Sequence, residues 1–181
     1  MAQDSSSTLQ AGQTGLIVRI PEAEPAVGAW RERLDPSARS GVPAHVTVLF
    51  PFLHEDLIDA HIRAAIADPL GSYPAFDVRF ETFGRFPGIL YLAPESDGQR
   101  QFLQLTHAVA DRWPEVPPFE GRFAELVPHL TVAQSQEAEV LDEVEAALTG
   151  ILPIAARVSS VELMVTDGRT WRQRASFALR G

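Results

Sequence analysis

The chain has 181 residues, enough for one domain at ~150 residues per domain, with the 45% hydrophobic and 22% charged content of a soluble globular protein. Fifteen cations against 24 acids leave a net charge of −9, and such a surface repels a long polyanion, which disfavours an extended nucleic-acid footprint. All fifteen cations are arginine and cysteine is absent, so Schiff bases, lysyl-nucleotide intermediates, thiol nucleophiles, disulfides and thiolate metal sites are excluded together.

Met1 to Gln13 is Ser- and Gln-rich, without a basic start or an apolar stretch, and reads as a disordered tail on a cytoplasmic protein. Residues 14–181 then form one domain, and no run approaches the ~18 apolar residues of a membrane span. Gly15 to Ile20 is a short strand closed by Pro21, and Val27, Trp30 and Leu34 recur at helical spacing before Pro36. His45 to Phe50 is a second strand, stopped by Pro51. Ile58, Ile62, Ala65 and Ile66 mark the next helix, with Glu55 and Asp56 in its first turn.

Phe76 to Phe83 alternates as a strand, Gly84 to Gly88 turns, and Ile89 to Leu92 returns. Phe102, Leu105, Val109 and Trp113 predict a helix ended by Pro114. After a Pro-rich loop, His129 to Ala133 is again strand-like and again preceded by Pro. Val140, Leu141, Val144, Ala147 and Leu148 form an amphipathic helix stopped by Gly150. Two closing strands, roughly Ala155 to Val165 and Trp171 to Leu179, flank the turn dipeptide Asp167-Gly168.

Each half therefore runs Pro, a strand opening on His-x-Thr, a helix and a two-stranded hairpin. This is an α+β chain with a duplicated β-α-β-β plan, and 84 residues separate His45 from His129. In a strand, residues i and i+2 share a face. His45 and Thr47 therefore stand opposite Val46 and Val48, as His129 and Thr131 stand opposite Leu130 and Val132. Thr fills nine positions, so two hits at +2 among five His arise by chance about one time in forty; His54, His61 and His107 have none.

Two imidazoles on opposite sides of a phosphate form an acid-base pair, since a pKa near ~6.5 lets one be neutral and the other protonated. Thr hydroxyls donate to the non-bridging oxygens and steady the growing charge. That chemistry requires no lysine, metal or other cofactor.

Pro43-Ala44-His45-Val46-Thr47-Val48-Leu49-Phe50 and Pro128-His129-Leu130-Thr131-Val132-Ala133 resemble the motifs of the two-histidine phosphoesterase superfamily, which includes 2′-5′ RNA ligase and cyclic phosphodiesterase proteins. The resemblance spans roughly Thr14 to the C-terminus. It implies a bilobal fold in which two antiparallel sheets face across a central cleft, with helices outside. It also implies metal-independent opening or closing of 2′,3′-cyclic or 2′-5′ phosphodiester bonds. By the same resemblance His45 and His129 are catalytic, while Thr47 and Thr131 bind phosphate. One assignment makes His129 the base and His45 the acid, and pseudo-symmetry allows the reverse. Many relatives place a basic residue soon after the second motif, where this chain has Ala133-Gln134-Ser135, which leans toward a small nucleotide or RNA-terminus substrate. A monomer is expected. The rival readings are joining or splitting of 2′-5′ linkages, and a non-catalytic module that binds nucleotides or RNA ends.

Around these motifs, Tyr91 is a candidate to stack on a base, whereas Phe83 and Phe86 read as packing and Phe50 as core. Arg19, Arg79, Arg85, Arg172 and Arg174 lie on or beside predicted strands, and spacing does not choose among them as phosphate ligands. His54 and His61 are seven residues apart, ~10.5 Å along a helix, too far to share a metal. No Gly-x-Ser-x-Gly elbow, phosphate loop or dinucleotide fingerprint is present.

Overall fold

A computed structural model describes residues 9–181. The elements in chain order are β1 (Thr14–Arg19), α1 (Glu24–Leu34), the short α2 (Pro36–Arg39), β2 (His45–Leu49), α3 (Ala60–Gly71), β3 (Phe76–Phe86), β4 (Ile89–Pro94) and α4 (Ser96–Ala110). They continue with β5 (Leu130–Gln134), α5 (Ala138–Leu148), β6 (Ile154–Val158), β7 (Ser160–Thr166) and β8 (Trp171–Ala178). The strands form two antiparallel four-stranded sheets, ordered β2-β1-β7-β8 and β5-β4-β3-β6. The bilobal α+β arrangement expected from the sequence is thus the observed one.

The lobes do not coincide with the halves of the chain. Read outward from the His-x-Thr strand, β2, β1, β7, β8 correspond to β5, β4, β3, β6. The first half's hairpin, β3-β4, therefore builds the second sheet beside β5, and β7 returns from the second half to pair with β1. Helices cross over as well: α1 follows β1 yet packs on β5, and α4 follows β4 yet packs on β2. One continuous apolar core results, running from Leu16, Val18, Val46 and Val48 to Leu90, Leu92, Leu130 and Val132. The exchange brings the two edge strands β2 and β5 side by side at the centre of the molecule.

Several local expectations shift. The closing run from Ala155 to Val165 is two strands in different sheets, broken at Ser159. Its apolar positions change phase there, from Ile154, Ala156 and Val158 to Val161, Leu163 and Val165, and a strand cannot keep one buried face across such a step. Glu55 and Asp56 lie in a 3₁₀ turn ahead of α3, whose N-cap is Asp59, accepting from the Ile62 amide at 2.8 Å. The α4 helix starts at Ser96 and stops before Trp113, which packs edge-on to Phe52. Residues 1–8 of the expected tail lie outside the described residues; the rest is anchored, with the Gly12 amide donating to the Thr166 carbonyl at 2.8 Å and the Gly12 carbonyl accepting from Glu55. Among the described residues no helix is long and apolar enough to cross a membrane.

Candidate active site

Each His-x-Thr strand alternates as its sequence dictates. Val46, Val48, Leu130 and Val132 are buried, whereas His45, Thr47, His129 and Thr131 are half-buried on the opposite face. Both motifs also solve the same tautomer problem in the same way. His45 Nδ1 lies 2.7 Å from the Pro43 carbonyl oxygen, and His129 Nδ1 lies 2.6 Å from that of Val127. A carbonyl only accepts, so each Nδ1 carries the proton and each neutral ring keeps its lone pair on Nε2. In both cases the acceptor belongs to the residue two positions upstream.

Burial pushes the His45 pKa down to about 4; the Pro43 hydrogen bond opposes this, the Arg31 charge adds to it, Asp35 opposes it, and a charge on His129 would lower it further. The two rings therefore lie within electrostatic reach of one another. His129 is also lowered by burial, with its bond to Val127 opposing.

The mounts of the two rings differ. Backbone groups in the segment leading to His45 are gripped by α1 and its surroundings. Glu24 Oε1 accepts from the Ala44 amide at 2.6 Å, and Arg31 donates to the Val42 carbonyl from both terminal nitrogens at 3.2 Å. The Ala44 carbonyl accepts from Ile20, and the Val42 amide donates to the Ser37 carbonyl. Arg31 is only 2% exposed and pairs at 3.0 Å with buried Asp35, whose carboxylate also accepts from the Ser37 amide and hydroxyl. The approach to His129 has no such clamp among the described residues: Glu125 is exposed, and Leu126 and Val127 are half-buried.

An aromatic wall borders His129 instead. Tyr91 pairs with Thr131 in register, and its ring lies 5.3 Å from the His129 ring, with Phe86 at 5.2 Å from His129 and 4.6 Å from Tyr91. A cavity of about 450 Å³ opens there, lined by Phe86, Phe119, Phe123, Val127, His129 and Thr131. Phe123 is 61% exposed and stands edge-on to Phe119, so the outer lip is apolar. Phe119 and Glu120 sit in the left-handed region at φ 51 and 57; the Phe119 amide, donating to the Phe50 carbonyl at 2.7 Å, holds this loop against the end of β2.

The family model of the 2′-5′ RNA ligase superfamily matches residues 20–170. The chain belongs to that superfamily. Escherichia coli LigT, solved as a complex with 3′-AMP, is 18% identical; the match covers 95% of this chain and 100% of LigT at a TM-score of 0.61. TT0787 of Thermus thermophilus is 19% identical, with 93% and 98% covered and a TM-score of 0.62. No curated protein sequence matches the chain. At these identities the structural likeness speaks to the fold, and it is the fold shared by superfamily members of this kind.

Of the residues singled out in the sequence, His45 and Thr47 come to one side of the centre and His129, Thr131 and Tyr91 to the other. Tyr91 faces away from Leu90 and Leu92, on the same side as Thr131, and is 9% exposed because Phe86 and His129 cover it. Phe86, read from sequence as packing, flanks His129, whereas Phe83 packs on the core as expected. Phe50, expected in the core, stands edge-on to Trp171 at 5.9 Å, because the alternation of β2 ends at buried Leu49. Glu24, Arg31, Asp35, Phe119 and Phe123 carry no sequence signal of a site: they reach it only through the crossing of α1 and the folding of a Pro-rich loop.

Proposed function

We propose that the protein is a phosphodiesterase that hydrolyses 2′,3′-cyclic phosphates of nucleotides or RNA ends without a metal. The observation that carries this reading is the matched pair of imidazoles, each with Nδ1–H tied to a backbone carbonyl and Nε2 without a hydrogen bond among the described residues. In the reaction, His45 Nε2 takes a proton from water as its oxygen attacks phosphorus. The P–O2′ or P–O3′ bond opposite breaks, and His129 Nε2 delivers a proton to the departing oxygen. Thr47 and Thr131 donate to the non-bridging oxygens.

The electrostatics support this order of roles over the reverse. His45 has its pKa lowered to about 4 and so meets the substrate neutral, as a base must. Burial lowers His129 as well, but without the Arg31 charge that adds to the shift at His45, and the negative phosphate would oppose that lowering and favour the protonated ring that the acid role needs. The apolar cavity beside His129 suits a nucleobase, which Phe86 and Phe119 would flank. The 3′-AMP complex of LigT supports a nucleoside phosphate as the ligand class.

The same machinery run with an RNA 5′-hydroxyl in place of water would join ends through a 2′-5′ linkage, a second reading favoured by the name of the superfamily. Phosphorus NMR of chelator-treated protein with 2′,3′-cyclic nucleotides tests the proposal. Turnover to one monophosphate, reduced about 100-fold or more in both His45→Ala and His129→Ala, is the expected result. Normal turnover in either variant refutes the proton-transfer assignment.

A further inference from the structure

Arginine pairing divides by lobe. In the β5-β4-β3-β6 sheet every strand arginine has a carboxylate: Arg79 with Glu81 at 3.4 Å, Arg85 with Asp142 at 2.7 Å and Glu145 at 2.6 Å, and Arg157 with Asp77 at 3.0 Å. In the other sheet Arg19, Arg172 and Arg174 form no ion pair among the described residues. The single acid of that sheet's strands, Glu162, is 6% exposed, with Oε1 occupied by the Ser160 and Ser176 hydroxyls. On a chain of net charge −9, the exposed Arg19 guanidinium, with no ion pair among the described residues, is a local centre of opposite sign.

Arg19 has a fixed relation to the candidate site. It is the register partner of His45, so their Cα atoms lie roughly 4.5–5.5 Å apart. Leu16, Val18 and Ile20 point into the core, which leaves Ile17 and Arg19 on the face that His45 and Thr47 share. The guanidinium does not turn toward β2. It reaches across β7 to the neutral Gln173 Oε1 of β8, at 3.4 Å, and stays exposed. With strands ~4.8 Å apart, this sets its charge well beyond the phosphate position between the two imidazoles. The opposite end of the centre is the apolar pocket by His129, and the chain carries no cation at Ala133, Gln134 or Ser135 after the second motif.

We infer that Arg19 binds a second phosphate of the substrate, one nucleotide step from the scissile one on the His45 side. The inference rests on the phosphodiesterase reading for the place of the scissile phosphate, and it deepens that reading: base toward Phe86 and Phe119, additional phosphate toward Arg19. A guanidinium whose only side-chain partner among the described residues is a neutral amide gives up little when a phosphate replaces that amide. The second phosphate is either the nucleotide's own 5′-phosphate or the next link of an RNA strand.

Calorimetric binding separates these, using adenosine 3′-monophosphate, adenosine 3′,5′-bisphosphate and a triadenylate ending in a 3′-phosphate, on the wild-type chain and on Arg19→Gln. The bisphosphate is expected to bind at least about tenfold tighter than the monophosphate, with a ratio that shrinks as salt is raised. In Arg19→Gln the ratio falls to about twofold or less, and the unfolding temperature confirms that this exposed substitution leaves the fold intact. A further gain for the triadenylate that also disappears in Arg19→Gln identifies the strand as the source; a gain complete at the bisphosphate identifies the 5′-phosphate. Equal affinity for mono- and bisphosphate, or a ratio that survives Arg19→Gln, overturns the inference even if cyclic nucleotides are turned over. Failure of all three ligands to bind overturns it together with the reading of the site.

Discussion

Both terminal nitrogens of Arg31 reach the Val42 carbonyl oxygen at 3.2 Å, and through that contact a buried helix side chain holds the segment that delivers His45. The Pro43 carbonyl next in the chain takes the His45 Nδ1 proton, and the Ala44 amide after it is held by Glu24. Val42 and Ala44 are thus fixed from outside the strand, and Pro43 between them by the imidazole itself. Among the described residues His129 has the equivalent carbonyl but not the equivalent clamp, so fold symmetry does not extend to the mechanics of the two rings.

Removing Arg31 leaves the buried Asp35 carboxylate without its counter-charge, since the Ser37 hydroxyl and amide are its only other partners among the described residues. Arg31→Met is expected to cost about 3–5 kcal/mol in urea unfolding, the usual result of breaking one side of a buried pair. Combining it with Asp35→Leu recovers part of the loss, because the stranded charge is gone. A cost under about 1 kcal/mol for the single variant would show that Asp35 does not depend on Arg31.

Acid should weaken the fold through His45. Its folded pKa is lowered to about 4 from an unfolded ~6.5, so the unfolded chain binds the proton first as pH falls. Stability is full above pH ~6.5 and is lost progressively down to about pH 4, by on the order of 3 kcal/mol, after which both states are protonated and this contribution is flat. His129 acts in the same direction. Urea midpoints at pH 7 and pH 4.5 should diverge less in His45→Gln than in the wild type; an identical divergence would place the acid sensitivity elsewhere.

Thr47→Val and Thr131→Val keep the β-branched shape that their strands favour while deleting the hydroxyl. Each is expected to lower kcat by roughly 10- to 100-fold, corresponding to about 1.5–3 kcal/mol for a hydrogen bond to a charged oxygen. A raised KM with kcat intact would instead assign the hydroxyl to ground-state binding.

Gly84 and Tyr91 are register partners, and a Cβ on Gly84 would overlap the Tyr91 ring. Gly84→Ala should displace Tyr91 and, with it, the His129 ring it flanks, reducing turnover about tenfold or more. Tyr91→Phe, which keeps the ring, should retain most activity if packing on His129 is its main contribution. A His129 ring resonance unmoved in Gly84→Ala would disconnect the two.

The alternation around His45-x-Thr47 and His129-x-Thr131 was legible because a strand's two-residue period is local: apolar neighbours must go to the core, so the polar pair must face away. The family resemblance rests on the same eight- and six-residue stretches. Other features were less visible. The break at Ser159 leaves a trace in the phase of the apolar residues, yet that trace acquires meaning only once two sheets exist to receive the two pieces. The 3₁₀ turn at Glu55 depends on a local cap, the His54 ring accepting from the Asp56 amide, and α4 starts at Ser96 with no side-chain cap to mark it, so composition does not show either boundary.

Local sequence period and residue chemistry by themselves determined that this chain has two polar His-Thr faces on apolar-backed strands, an α+β duplication, and no lysine or thiol chemistry. Only the tertiary structure decided which residues surround those faces. Exchange of hairpins and helices between lobes set Arg31, Asp35 and Glu24 behind His45, and Phe86 and Tyr91 beside His129. It also left Arg19 without an ion pair among the described residues while giving Arg85 and Arg157 carboxylates from other elements. The contacts of Tyr91 with His129, Arg85 with Glu145 and Arg157 with Asp77 join residues far apart in the chain across the folded core, a long-range effect that no local periodicity records.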